Sequence, residues 1–287
     1  MSQYSSQSGN TLNNQPKAER RSILSSNPIM RRLNKIDERT DTGAATYGGI
    51  TAKTIIFLLF SLAGIVLQLV MTKFLAIGEV FVINYRGFET SMYTGEAVAV
   101  VAVTVLAIVF QLLAFFVRGS TPVTGALYCI TQGYVISFLI FKVLRGYEYL
   151  GALALAITLM IILVMSILYT KGIIKVNKKF KMVLLTLVIT SVGISLLSFI
   201  AYFIPFTRPL VVSMRGNLPL TIGVSVLFII IAALFLISDF DTIDHVVNDG
   251  LPKKYEWMAA FGLSFTVLWL YLKVLDLIIT IAGSKKN

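Results

Sequence analysis

The chain has 287 residues, of which 56% are apolar and only 14% charged, with a net charge of +11. Without its long apolar stretches, about 130 residues remain, divided between an N-terminal tail and short loops, too little in any one piece for a separate globular domain. That excludes a soluble enzyme, and the placement of the positive charge, described below, excludes nucleic acid as the reason for it.

Residues 1–50 read as a basic cytoplasmic tail. The first 18, rich in Ser, Gln and Asn, are expected to be disordered, and 22–39 to form a short basic helix lying on the inner membrane surface. No apolar h-region precedes the first span, so no cleavable signal peptide is expected. Seven apolar segments follow at 51–72, 95–117, 122–141, 150–170, 182–205, 218–238 and 257–283. At about 1.5 Å per residue, each is long enough to cross a hydrocarbon core of roughly 30 Å. Each must be helical, because a backbone facing lipid has to satisfy its own hydrogen bonds. The fold class is therefore an all-α polytopic membrane protein with its transmembrane region at 51–283 and a short tail at 284–287. Of the connections, only 73–94 and 239–256 are long.

With the N-terminus inside, the inner segments hold fifteen basic residues, among them Arg20, Arg21, Lys171, Lys181 and Arg118, against eight outside. This asymmetry follows the positive-inside rule, so the C-terminus is expected outside. The basic excess then reads as topology plus attraction to anionic lipid headgroups. The only cysteine, Cys129, excludes an internal disulfide and reads as a small apolar residue in span three. Small residues inside the spans, such as Gly64, Gly125, Gly133, and Gly223 with Ser225, predict close helix approach.

The chemistry concentrates near span six. From Asp239 to His245, seven residues carry Asp239, Asp241, Asp244 and the only histidine, and Asn248-Asp249-Gly250-Leu251-Pro252 supplies a turn. Asp239 closes an uncharged run and should sit at the inner boundary, where removing its charge from water is costly unless a partner is found. Asp241 and Asp244 are expected to turn toward solvent. In span seven, Lys273 and Asp276 share a face three residues apart, which fits either a mutual ion pair or part of a polar path down the bundle. Lys142 and Arg145, closing span three, should snorkel to the outer surface. One histidine and one cysteine make no metal cluster, and no nucleotide, hydrolase-elbow or zinc-protease motif is present. No cofactor, certain metal site or enzymatic activity is expected.

Ile237-Ser238-Asp239-Phe240-Asp241-Thr242-Ile243 resembles the end of the sixth helix of the Bax inhibitor-1/YccA family, the transmembrane Bax inhibitor motif proteins. Leu270-Tyr271-Leu272-Lys273-Val274-Leu275-Asp276-Leu277 resembles that family's last-helix motif. Ser26-Asn27-Pro28, Thr46-Tyr47-Gly48-Gly49, the 122–133 segment and Pro252 to Trp257 resemble its bacterial branch. The resemblance implies a bundle with the seventh helix at its centre, and a pH-sensitive calcium leak in which acids on helices six and seven share a proton. It implies that Asp239 is the sixth-helix acid, with Asp241 a rival match, and that Arg118 is the cation that latches it when the pore is closed. The seventh-helix acid does not carry over, because Lys273 stands in its place; a Lys opposite an Asp would replace proton sharing with an ion pair and lower divalent-cation affinity. Two straight helices would set Asp239 and Lys273 roughly 15 Å apart in depth.

Two functions follow as expectations. One is a cation leak pathway for Ca²⁺ or H⁺, gated near the inner end of helix six by Asp239, Arg118, Lys273, Asp276 and Asp241, with Asp239 a possible Ca²⁺ contact. The other is a non-channel regulator that binds other membrane proteins, such as a membrane-bound protease, through its basic tail and the 239–256 segment. Either is expected in a bacterial plasma membrane, N-terminus in the cytoplasm.

Overall fold

A computed structural model describes residues 43–117 and 119–285, so the tail calls at 1–18 and 22–39 lie outside the described residues. The elements are α1 (Tyr47–Phe74), β1 (Val80–Tyr85), β2 (Phe88–Tyr93), α2 (Thr94–Phe116), α3 (Thr121–Ser137, extended by a π-helical stretch at Phe138–Val143), α4 (Tyr149–Thr170), α5 (Lys178–Phe203), α6 (Arg208–Gly216), α7 (Leu218–Asn248) and α8 (Tyr255–Ser284). Seven of the helices, all but the short α6, are long and apolar enough to cross a membrane. Their outward faces stay apolar and uncovered, as at Val66 and Leu197, which suits lipid rather than water.

α8 is the core element. Ala260, Phe261, Leu270, Leu275 and Ile279 are wholly buried along it, and it packs on α1, α3, α4 and α7. Phe115 of α2 meets its Phe261 and Phe265 edge-on or tilted. α5 lies at the periphery and packs mainly on α6 and α7. Apolar bulk alone does not bring helices together in lipid, so close backbone contact has to. α1 and α3 supply it reciprocally, because the missing side chain of Gly64 faces the Ile130 carbonyl and that of Gly133 faces the Ser61 carbonyl. Ser137 Oγ then donates to Gln68 Oε1 at 2.7 Å across the same seam. Gly223, expected to allow close packing, instead has open space where its side chain would be.

Two further expectations are corrected. The 73–94 connection holds an antiparallel hairpin, paired from Val80↔Tyr93 to Tyr85↔Phe88. Arg86 and Gly87 turn it with φ of 52° and 87°, the left-handed pair that a two-residue type I′ turn needs. Phe88 and Met92 are buried on its underside, and Thr90 Oγ1 donates to the Lys142 carbonyl at 2.9 Å. Span six does not stop at Ser238: α7 runs on to Asn248, because neighbouring helices accept the carboxylates that were expected to end it. The connection to α8 shrinks to 249–254.

Gly133→Ala should force α1 and α3 apart and lower the thermal unfolding midpoint in detergent, an overpacking cost of about 1–3 kcal/mol. Gly223→Ala should leave the midpoint unchanged or slightly higher, since alanine is the better helix former. Equal midpoints for the two variants would contradict the crossing geometry.

Candidate functional site at the two ends of the central helix

α8 carries one acid near each end, and the bundle answers each with a cation. At the end where α1 begins, Glu256 is fully buried and receives the Thr46 N–H at 2.9 Å, the Thr46 hydroxyl at 3.3 Å and the Lys53 ammonium. A carboxylate against the first turn of α1 also complements the positive end of that helix dipole. Gly49 is required there, since any side chain would run into the Glu256 carboxylate. Lys53 sits 5.2 Å over the Trp257 ring, and Ala45 N–H donates to the Leu251 carbonyl at 2.8 Å, so the start of α1 is strapped to the α7–α8 turn.

Asp241 and Asp244 belong to the same stratum and do not face open water as expected. Asp241 pairs with Lys181 of α5 at 2.7 Å, with His245 3.7 Å away. Asp244 accepts the Tyr47 hydroxyl at 2.9 Å and the Tyr169 hydroxyl at 2.6 Å, which joins the ends of α1, α4 and α7. Sequence reasoning missed Tyr47, Tyr169, Lys181 and Glu256. Their signal was aromatic or charged residues just at the span boundaries, which also suits the headgroup level.

Asp239 differs. It lies two turns deeper in α7 than His245 and faces α8, its Oδ1 3.8 Å from where a side chain on Gly262 would begin, beside the Thr266 hydroxyl. Its Oδ2 is buried without a hydrogen-bond partner, and no cation stands within 4 Å of it among the described residues. Arg118, its expected latch, lies outside the described residues. Lys273 is seven residues beyond Thr266 on α8, about 10 Å farther along the axis, so it does not meet Asp239.

At the opposite end, the hairpin turn reaches down onto α8. Arg86 Nε lies 2.8 Å from Asp276 Oδ1 and its Nη2 donates to Oδ2 at 2.9 Å, a bidentate clamp, while the Tyr85 hydroxyl donates to Oδ1 at 3.0 Å. Burial first, and then the Asp276 charge, push the Tyr85 phenol above its ordinary pKa, so it stays a donor. Gly283 leaves room for the Arg86 carbonyl. The Lys273–Asp276 pair expected from their spacing is therefore replaced by Arg86–Asp276. The hairpin that delivers Arg86 was not read from sequence, although Asn84-Tyr85-Arg86-Gly87 between two β-rich runs was its signal. Lys142, likewise, turns inward to Glu96 at 2.9 Å instead of snorkelling.

Lys273 keeps no carboxylate within 4 Å among the described residues; its ammonium lies 4.8 Å from the Phe228 ring centre. It borders a cavity of about 910 Å³ between the hairpin, α5, α6, α7 and α8. No cluster of three metal-ligating side chains occurs among the described residues.

A family model described as Bax inhibitor 1 like matches residues 13–283, all seven spans and both polar strata. The chain belongs to the Bax inhibitor 1 like family. A search of curated proteins finds no match. For this Bax inhibitor 1 like chain, the strata are two charged collars on one buried helix, and between them lies Asp239 Oδ2, buried with neither a hydrogen bond nor a cation among the described residues.

Glu256→Gln should lower the thermal midpoint markedly, because it leaves Lys53 without its counter-charge; breaking such a pair costs about 3 kcal/mol. Asp249→Asn, at a position where the carboxylate is 64% exposed, should change it little. Indistinguishable midpoints would contradict the role given to Glu256.

Proposed function

We propose that the protein is a proton-modulated cation leak pathway with Asp239 as the group that a proton or permeating cation meets first from the N-terminal face. One observation carries this reading. Asp239 Oδ2 and Asp241 Oδ2 are both buried without a hydrogen bond, but Asp241 Oδ2 has the Lys181 ammonium 2.7 Å away, and Asp244 and Glu256 are partnered too. Among the described residues, Asp239 alone of the four has no cation or donor on its buried oxygen. A buried acceptor without a donor is costly, and a bound proton or metal cation would relieve it. Asp241 and Asp244, held by Lys181, Tyr47 and Tyr169, form the collar around it. Arg86–Asp276 bars the far mouth, and Lys273 lies on the route between. A fixed ammonium repels a divalent ion about twice as strongly as a monovalent one at the same distance, so H⁺ is favoured over Ca²⁺ as the permeant ion. The excess of basic residues on the inner segments supports a cytoplasmic N-terminal face, and the resemblance to the family's bacterial branch supports a bacterial plasma membrane.

The same Lys273, with the Arg86–Asp276 clamp, favours a second reading in which nothing permeates and the protein regulates other membrane proteins. Its contact surface would be the basic tail and the 249–254 turn. In proteoliposomes, the wild type should pass protons at a rate that varies with pH, and Asp239→Asn should lose that dependence. Deleting residues 1–25 should leave the flux intact. Flux no greater than that of empty vesicles would overturn the leak and leave the regulator.

A further inference from the structure

We propose that the cavity beneath the hairpin is a binding site for a monoanionic amphiphile, its head on Lys273 and its hydrocarbon chain along α5 and α7. The site does not depend on whether ions permeate. Its volume of about 910 Å³ lies within the ~300–1,000 Å³ usual for small-molecule sites. Charge is segregated to one end. Among the described residues lining it, Arg86 and Lys273 bring two positive charges and Asp276 one negative, and Arg86 is already clamped bidentately by Asp276. The remaining positive charge is the Lys273 ammonium, at membrane depth with an aromatic face for company and no carboxylate within 4 Å among the described residues. A cation in that position is costly until an anion joins it. The hydroxyls of Ser191, Ser198 and Ser225 line the same cavity and can donate to a head group.

Apart from Asn84 and Thr221, the rest of the described lining is apolar or aromatic, and it is open on that side. Ile194, Met214 and Leu227 line the cavity yet are 60, 51 and 50% exposed, so bilayer lipid meets it directly. One positive charge at the head and hydrocarbon beyond it select a single-charge anion on an acyl chain, supplied either by a fatty acid carboxylate or by a phosphodiester lipid. A free anion would leave the apolar wall uncovered. A zwitterionic lipid would bring its own cation to Lys273.

The test uses the full chain in phosphatidylcholine nanodiscs and a photoactivatable fatty acid, with cross-links mapped by peptide. Labelling should fall between residues 191 and 228. Oleate, phosphatidylglycerol or both should compete, and whichever does names the source; extra phosphatidylcholine and inorganic phosphate should not. Lys273→Met should weaken labelling about tenfold, the loss of one charge-assisted contact, and Lys273→Arg should keep it. Ile194→Trp, a filling change at an exposed position, should remove labelling even if Lys273→Met proves unstable. Unchanged labelling in Ile194→Trp or in folded Lys273→Met would overturn the site. So would competition by phosphatidylcholine, which means ordinary boundary lipid, or by phosphate alone, which means an anion site without a chain.

Discussion

In hydrocarbon a charge has no water to fall back on, so an ionised group on the buried helix α8 is costly unless it is met from within the bundle. Glu256 and Asp276 stand near opposite ends of that helix, and each ties a further element to it. Glu256 draws in the first turn of α1 through Lys53 and the Thr46 N–H. Asp276 draws the hairpin turn down through Arg86 and Tyr85. Both clamps need glycine to close, Gly49 at one and Gly283 at the other. Backbone approach and charge pairing are thus one device, used twice.

Against that pattern Asp239 and Lys273 are the exceptions. Each faces inward, each lacks an ionic partner among the described residues, and they sit at different depths, about 10 to 16 Å apart along α8. A structural pair would have cancelled both costs. Two unpaired groups of opposite sign, one at a seam and one at a cavity, are what the two proposals rest on: a proton or cation at Asp239, an anionic head at Lys273. Membership of the Bax inhibitor 1 like family gives the bundle in which these groups sit. It leaves the work they do to local chemistry.

The seven spans were legible because a length of apolar residue needed to cross a bilayer is a strong signal. Their ends were less so. α7 was read ten residues short, since Asp241 and Asp244 looked like solvent groups and their partners come from α1, α4 and α5, far away in sequence. The hairpin went unread because a short alternating run is weak beside the hydrophobicity of its neighbours, and Arg86 was missed with it. Glycines could be picked out but not sorted: Gly64 and Gly133 lie at a backbone crossing and Gly223 in open space, and nothing local separates them. Asp239 and Lys273 could be singled out in the sequence as charges at or inside apolar runs, with Arg118 and Asp276 as their expected partners; whether those partners are met is a property of the packed bundle alone.

The central claim is that Asp239 is the exchangeable carboxyl group of the bundle interior. Difference infrared spectroscopy across a pH step, on the protein in lipid, observes it directly through the carbonyl stretch of a protonated carboxyl. A band that responds to pH in the wild type, vanishes in Asp239→Asn and persists in Asp276→Asn is the predicted result. A difference spectrum that Asp239→Asn leaves untouched would contradict it.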